Sequence, residues 1–345
     1  MKRRRDPVGV TIKDIARQAG MSVSAVSLVL NNRPCRISEA KKQEIREIAA
    51  RLQYQPNQMA RSLVTKETKM LALILPDIEN IFFSSLAKRI EDGCRREGYL
   101  LIIANSGDRS AEDRALLHSI AARGVDGIFL IVSNESYRDN TALLAELGGL
   151  SIPFVMVDRV YEDFVCDQVL FDNEEGGYLA ARHLIGMGHT RIGCIANTAA
   201  NNGRARLRGY RKAMEEAGLA APDEWIAQGD YRMESGYRAA DPLLHAGLTA
   251  VFATNDMMAL GFLRRLYEKG KRVPADFSVV GYDDALDPFL LGNGLTTVAQ
   301  DAQQLGDAAC RLLIHRIRSG MGDPQAVRLR PALIVRGSVR ACGAE

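Results

Sequence analysis

Residues 11–32 read TIKDIARQAGMSVSAVSLVLNN, a stretch that spells two short helices with a tight turn between them. Thr11 and Asp14 make a T-x-x-D start, in which a hydroxyl and a carboxylate satisfy backbone N–H groups left free at a helix N-terminus. Ile12, Ile15, Ala16 and Ala19 then recur on one helical face. Gly20 ends that helix, because a residue without Cβ enters the left-handed conformation at little cost. Ser22 caps a second helix with Val26, Val29 and Leu30 inward. Ser38 caps a third that lines up Ile45, Ile48, Ala49 and Leu52. Three helices with a glycine-marked turn between the first two fit a helix-turn-helix, whose second helix enters the major groove of DNA. The same pattern alone also fits any small three-helix unit.

Charge narrows the choice. Residues 1–70 hold 15 Lys and Arg against 6 Asp and Glu, and the remaining residues 30 against 36. A net charge of +3 therefore conceals a basic head on an acidic body, which suits phosphate contact, since each neutralised phosphate releases counterions. The chain of 345 residues is 47% hydrophobic and 25% charged, ordinary for two or three globular domains. No apolar run is long enough to span a membrane. After Met1-Lys2-Arg3-Arg4-Arg5 the chain turns to Asp6 and Pro7 without an apolar signal core, so the cytoplasm is expected. The six cysteines, at 35, 94, 166, 194, 310 and 342, form no C-x-x-C pair and read as reduced thiols. His118, His183, His189, His245 and His315 show no metal-ligand spacing.

Beyond Lys69 the texture changes to short apolar runs alternating with amphipathic stretches. Leu71–Leu75, Leu100–Ala104, Gly127–Val132, Phe154–Val157, Ile192–Ala196, Ala250–Ala253 and Ser278–Gly281 read as buried parallel strands. Ser84–Glu97, Glu174–Met187, Arg208–Ala217 and Met257–Lys269 read as helices between them. Such alternation predicts doubly wound α/β structure, and the number of strands predicts two lobes. Ligands of open α/β sheets sit beyond the carboxyl ends of strands. Asp77, Asn105, Asp158, Asn197, Asn255-Asp256 and Asp283 stand there, and as a set they suit hydroxyl or amine groups of a small polar ligand. Any one of them could instead cap the following helix. The sequence lacks G-x-G-x-x-G after the first strand, G-x-x-x-x-G-K-[ST] and G-x-S-x-G, so no enzyme, catalytic residue, cofactor or metal is expected.

The run Thr11-Ile12-Lys13-Asp14-Ile15-Ala16, then Ala19-Gly20-Met21-Ser22, Val26-Ser27 and Val29-Leu30-Asn31, resembles the headpiece of the LacI/GalR family. Tyr54-Gln55-Pro56-Asn57 and Ala60-Arg61-Ser62-Leu63 resemble its hinge. The resemblance implies DNA contacts at Thr11, Ser22, Val23, Ser24, Ser27, Leu28, Asn31, Asn57, Ala60, Arg61 and Leu63. Leu28 departs from the family pattern, where a basic or polar side chain is usual. It can touch a thymine methyl but cannot bridge guanine as arginine does. Leu63 falls where the family wedges a leucine into the central base step of the minor groove. A helix over 56–64 is too short to be stable alone, so its folding should depend on DNA and on a second copy.

Family marks continue through Val157-Asp158-Arg159, Gly176-Gly177, Gly188-His189, Arg206-Leu207-Arg208-Gly209-Tyr210, Thr254-Asn255-Asp256 and Val280-Gly281-Tyr282-Asp283-Asp284. They imply a two-lobed effector domain like the periplasmic sugar-binding proteins. The expected division is a headpiece over 1–54, a hinge and linker over 55–69, and an effector and dimerisation domain over 70–345. Its N-lobe would comprise about 70–168 and 298–326, its C-lobe about 169–297 and 327–345. The resemblance puts an effector-contacting arginine at Arg206 and a hydroxyl-binding aspartate at Asp283. Asp158, Asn255 or Asp256, the aromatics Phe82 and Phe83, and Tyr231 would line the ligand. The stretch from Asp223 to Ala239 is close to the purine-repressor branch. Ala200, however, stands near where that branch sets an arginine on its base ligand, which favours a sugar or sugar derivative. The implied partners are a palindromic double-stranded operator, the small-molecule effector and a second copy of the chain, with no membrane. No leucine heptads follow Arg340, so a dimer is expected rather than a tail-built tetramer. A transporter's solute-binding protein would share the lobes but has no use for the basic head.

Overall fold

The computed structural model describes residues 10–31, 33–54, 67–161, 163–286, 294–320 and 322–343. The hinge positions Asn57, Ala60, Arg61 and Leu63 lie outside the described residues. Two compact units are present, Met1–Thr68 and Lys69–Glu345.

The first unit contains α1 (Ile12–Ala19), α2 (Val23–Leu30) and α3 (Glu39–Arg51). At the start of α1 the Thr11 N–H and hydroxyl both donate to Asp14 Oδ2, at 3.0 and 2.7 Å. Gly20 ends α1 at φ +60°. Ser22 Oγ accepts from Ala25 N at 3.2 Å, and Ser38 Oγ from Lys41 N at 3.4 Å. Ile15, Ala16, Ala19, Val26, Val29, Ile45, Ile48 and Ala49 form its core, with Leu30 and Leu52 half-buried at the margin. Each large aliphatic removed from water here contributes about 1.5–3 kcal/mol, little enough that one deletion threatens so small a unit.

The second unit has two six-stranded sheets. Its elements run β1 (Met70–Leu75), α4 (Ile81–Arg96), β2 (Leu100–Asn105), α5 (Ser110–Ala121), β3 (Gly127–Leu130), α6 (Thr141–Gly148), β4 (Phe154–Val157), β5 (Asp167–Phe171) and α7 (Asn173–Gly186). There follow β6 (Ile192–Ala196), α8 (Asn201–Glu216), β7 (Ile226–Gln228), α9 (Met233–His245), β8 (Ala250–Ala253), α10 (Asp256–Glu268) and β9 (Ser278–Asp283). The order closes with β10 (Thr296–Ala299), α11 (Ala302–Ser319), β11 (Ala326–Leu329) and β12 (Ala332–Ile334). The first sheet is ordered β11-β5-β4-β3-β1-β2 and the second β12-β10-β9-β8-β6-β7. All pairings are parallel except β10 with β12.

Sheet membership moves the lobe boundaries. Positions 168/169, 297/298 and 326/327 fall inside β5, β10 and β11, and a paired strand is not divided between sheets. The chain crosses instead between β5 and α7, between β10 and α11, and between β11 and β12. One strand differs in character from its expected burial. β2 is an edge strand, with Leu100 65% and Ile103 45% exposed.

Both lobes place helices on their sheets. Leu305, Ala309 and Leu313 of α11 pack with Leu86, Ile90 and Cys94 of α4 beneath the first sheet. In the second lobe α7 and α8 touch at glycine. A Cβ on Gly177 would stand 1.9 Å from the Arg206 carbonyl oxygen, and one on Gly209 1.9 Å from that of Glu174. Only bare backbone allows this approach, which fixes where Arg206 leaves α8.

Candidate functional site

Ten side chains from both lobes, with Gln300 at a crossing, converge where the strand ends of the two sheets face each other: Asn80, Phe82, Phe83, Asp158, Arg159, Asn202, Arg206, Tyr231, Asn255 and Asp283. Seven of the eight expected effector residues are among them. Backbone strain gathers here too. Asp158, Tyr231 and Asp283 take φ of +61°, +69° and +111°, conformations that non-glycine residues adopt at a cost and that cluster at functional sites.

Arg206 is the centre of the C-lobe side. Its Nε donates to Asn173 Oδ1 at 2.8 Å and Nη1 to the Thr254 carbonyl at 2.6 Å. The guanidinium lies 3.7 Å from the Tyr282 ring centroid, and Nη1 is 3.8 Å from Asp283 Oδ1. Gln300 Nε2 donates to the same Asp283 oxygen at 2.9 Å. Burial pushes the Asp283 carboxyl up to about 8, with Arg206 opposing. Burial also raises Asp158, against the pull of Arg206 and then Arg159. Taking charge out of water is costly unless it is paired, and two carboxyls beside two guanidiniums supply that pairing in part. Asp158 Oδ1, Arg159 Nε and Gln300 Oε1 are buried without a hydrogen-bond partner among the described residues. The central space holds about 10 Å³, room for about one water. It adjoins cavities of about 210 Å³, lined in part by Asp158 and Asn202, and about 400 Å³, lined in part by Phe82 and Gln300.

Asp256 is the expected residue that does not line the cleft. Its Oδ1 accepts from Thr297 Oγ1 and its Oδ2 from Ala285 N, both at 2.8 Å, so it ties β10 and the turn after β9 to α10. Asn255 lines the cleft while capping: Oδ1 accepts from Met258 N at 2.9 Å and Nδ2 donates to the Tyr231 carbonyl at 3.0 Å. Asp77, Asn105 and Asn197 accept from the N–H groups of Glu79, Ile78 and Ala199, which is turn-shaping work. Arg159, Asn202, Gln300 and Asn80 are not among the ligand-lining residues expected from the sequence. Arg159 had a signal, because it directly follows a strand-end aspartate. Asn202 and Gln300 had none, since one lies inside a helix and the other at a lobe crossing.

On the first unit, Ser22, Val23 and Ser24 are exposed at the start of α2, and Thr11, Ser27, Leu28 and Asn31 are half-buried. Asn31 Nδ2 donates to the Ser27 carbonyl at 2.8 Å, closing the end of α2. Lys13, Arg17, Arg33 and Arg36 are exposed on the same unit.

Among the described residues no group of His, Cys, Asp and Glu could hold a metal, and no helix is long and apolar enough to cross a membrane. All six cysteines are free thiols.

Comparison with known proteins accords with this geometry. Residues 11–57 match the family of bacterial regulatory proteins, lacI family, and residues 181–339 the periplasmic binding protein-like domain. The HTH-type transcriptional repressor PurR of Escherichia coli O139:H28 is 38% identical over 334 residues, covering 95% of this chain and 96% of that protein. The fold is similar to that of the lac repressor dimer bound to operator and the anti-inducer ONPF. That match has a TM-score of 0.84 and 27% identity, over 96% of this chain and 99% of that one. It is also similar to the transcriptional regulator CelR–cellobiose complex, with a TM-score of 0.71 and 30% identity over 95% and 99%. The chain belongs to the LacI family of bacterial regulatory proteins. It is a DNA-binding transcriptional repressor with a ligand-binding effector domain.

Proposed function

We propose that this repressor acts in the cytoplasm as a homodimer on a palindromic operator, and that a sugar or sugar derivative held between the lobes sets its affinity. The observation that carries the ligand reading is that Asp158 and Arg159 from one lobe and Arg206 and Asp283 from the other are buried around one space. Hydroxyl groups both donate and accept, so a polyol can bridge carboxyls and guanidiniums at once. The bound cellobiose of the CelR complex supports that class. In this reading Ser22, Val23, Ser24, Ser27 and Leu28 meet base edges or phosphates, with Thr11 and Asn31 beside them. Asn57, Ala60, Arg61 and Leu63 reach the minor groove. The half-exposed edge strand β2, with Leu100 and Ile103, offers apolar surface that a second copy would cover. The chain performs no catalysis in this account. A ligand shifts the lobe angle, and with it the spacing of the paired hinges, only by as much as it prefers one arrangement.

The test is titration of a panel of mono- and disaccharides into the protein–operator complex, followed by anisotropy. A saturable change in operator affinity with one sugar, absent in Arg206→Ala, is expected. No response from any sugar, alongside a response to a non-hydroxylated metabolite, would overturn the ligand class.

A further inference from the structure

Away from the cleft, beneath the first sheet, α4 and α11 meet at glycines. A Cβ on Gly306 would stand 2.9 Å from that of Arg89, and one on Gly93 3.2 Å from that of Cys310 and 2.6 Å from its Sγ. Contact this close seats two thiols from distant parts of the chain against each other. Cys94 and Cys310 share one apolar cluster, 1% and 6% exposed. The Cys94 thiol is hydrogen-bonded to that of Cys310, and the Cys310 thiol donates to the Ile90 carbonyl at 3.6 Å. A disulfide needs its Cβ atoms within about 4.5 Å, a separation that helices packed at glycine can offer.

The two thiols differ in access. Cys310 lines a surface groove of about 540 Å³ together with Gly93, Arg96, Asp307 and Arg311, whereas Cys94 is buried outside it. Gly93 keeps that opening, since any side chain there would stand on the Cys310 sulfur. The hydrogen bond to Cys310, and then burial, push the Cys94 thiol far up, so Cys94 keeps its proton. The ion pairs that cross the groove, Arg96 with Asp307 at 2.8 Å and Arg318 with Glu97 at 2.5 Å, are partly exposed and hold the helices weakly. A covalent tie would therefore change how firmly α4 and α11 are joined.

We propose that Cys94 and Cys310 are a redox-active dithiol, in which Cys310 reacts with hydrogen peroxide entering the groove and Cys94 resolves the product. The Cys310 sulfur attacks one peroxide oxygen, the O–O bond breaks, and a sulfenic acid and one water form. The Cys94 sulfur then attacks the sulfenic sulfur, and its proton leaves with the displaced hydroxyl as a second water. The two thiols lose two electrons and one peroxide gains them. The disulfide clamps α4, whose first turn carries Phe82 and Phe83 into the cleft, to α11, which leaves the crossing at Gln300. Nothing in this chemistry depends on what the effector is.

Brief treatment of the reduced full chain with hydrogen peroxide, followed by alkylation and peptide mapping, tests the assignment. The expected product is one pair of peptides joined through Cys94 and Cys310, released again by dithiothreitol. Cys94→Ser should stop the reaction at a Cys310 sulfenic acid, which dimedone captures, and Cys310→Ser should leave Cys94 reduced. Should Cys94→Ser fail to fold, Cys94→Ala should trap the same sulfenic acid. Amide exchange along α4 and α11 should slow by at least about tenfold in the oxidised chain, because opening is then restrained by the bond. The exposed Cys342 serves as the internal control. A chain in which Cys342 is fully oxidised and the joined pair is absent would overturn the proposal, as would oxidation of Cys94 at an unchanged rate in Cys310→Ser. Unchanged exchange in a chain that carries the bond would overturn the clamp.

Discussion

At the scale of single residues the cleft is an arrangement of charge under low exposure. Arg206 makes two side-chain hydrogen bonds and faces Asp283 while buried. Arg206→Ala removes the donor, leaves Asp283 without its facing cation and leaves Asp158 with Arg159 alone. It should weaken effector binding by roughly a hundredfold or more, with operator affinity in the absence of effector little changed; calorimetry and anisotropy on one preparation check both halves. Asp283 carries a pH signature. Burial pushes its carboxyl up to about 8, whereas the unfolded chain releases that proton near the ordinary carboxyl value of 3.8. Between those limits the folded state binds the extra proton, so stability falls as pH rises. Asp283→Asn is neutral throughout. Its unfolding free energy relative to the native chain should therefore rise with pH, by up to about 1 kcal/mol per unit between roughly pH 5 and 8. Parallel denaturation curves for the two across that range would contradict the assignment. Sequence reading reached Asp283 because it stands at a strand end, whereas Arg206 lies inside α8 and was reached only through the family resemblance. It could not tell Asn255, which faces the cleft, from Asp256, which turns under β10, because adjacent residues at a helix start differ only in direction.

At the scale of elements, close backbone approach positions the site. Gly177→Ala would drive a methyl into the Arg206 carbonyl, separating α7 from α8. A loss of about 1–3 kcal/mol or more is expected, with weakened effector binding beyond what the lower melting temperature explains. Val26 is fully buried in the three-helix unit. Val26→Ala should cost about 2–3 kcal/mol, enough to abolish operator binding while effector binding to the other unit persists; amide exchange in the two units would show whether the loss is confined to the first. The headpiece was legible almost to the residue, since capping side chains and helical periodicity are local signals. The buried β-strands with continuous apolar runs were legible too. β5 was not, because it opens on Asp167-Gln168, polar residues made tolerable by tertiary partners. Arg316 donates to both Asp167 carboxylate oxygens at 2.7 and 2.8 Å, and Gln168 Nε2 to the carbonyls of Tyr161 and Phe164. The lobe boundaries were misplaced for a related reason: β10 and β11 are four-residue strands whose membership is set by pairing across the sheet, not by composition.

At the scale of the whole molecule, a basic head and an acidic body divide the work between phosphate contact and ligand sensing. Operator affinity should fall steeply and log-linearly with salt, as phosphate neutralisation requires, whereas binding of a neutral polyol in the enclosed cleft should be nearly insensitive to it. Parallel titrations at several ionic strengths separate the two. The central claim, that this chain reads a DNA sequence under control of a small molecule, is tested most directly by selecting fragments of its own genomic DNA with the purified full chain at moderate salt. Enrichment of a short palindrome, with occupancy altered by a metabolite extract in the native chain and not in Arg206→Ala, is the predicted result. No enriched sequence, either with or without the extract, would contradict it.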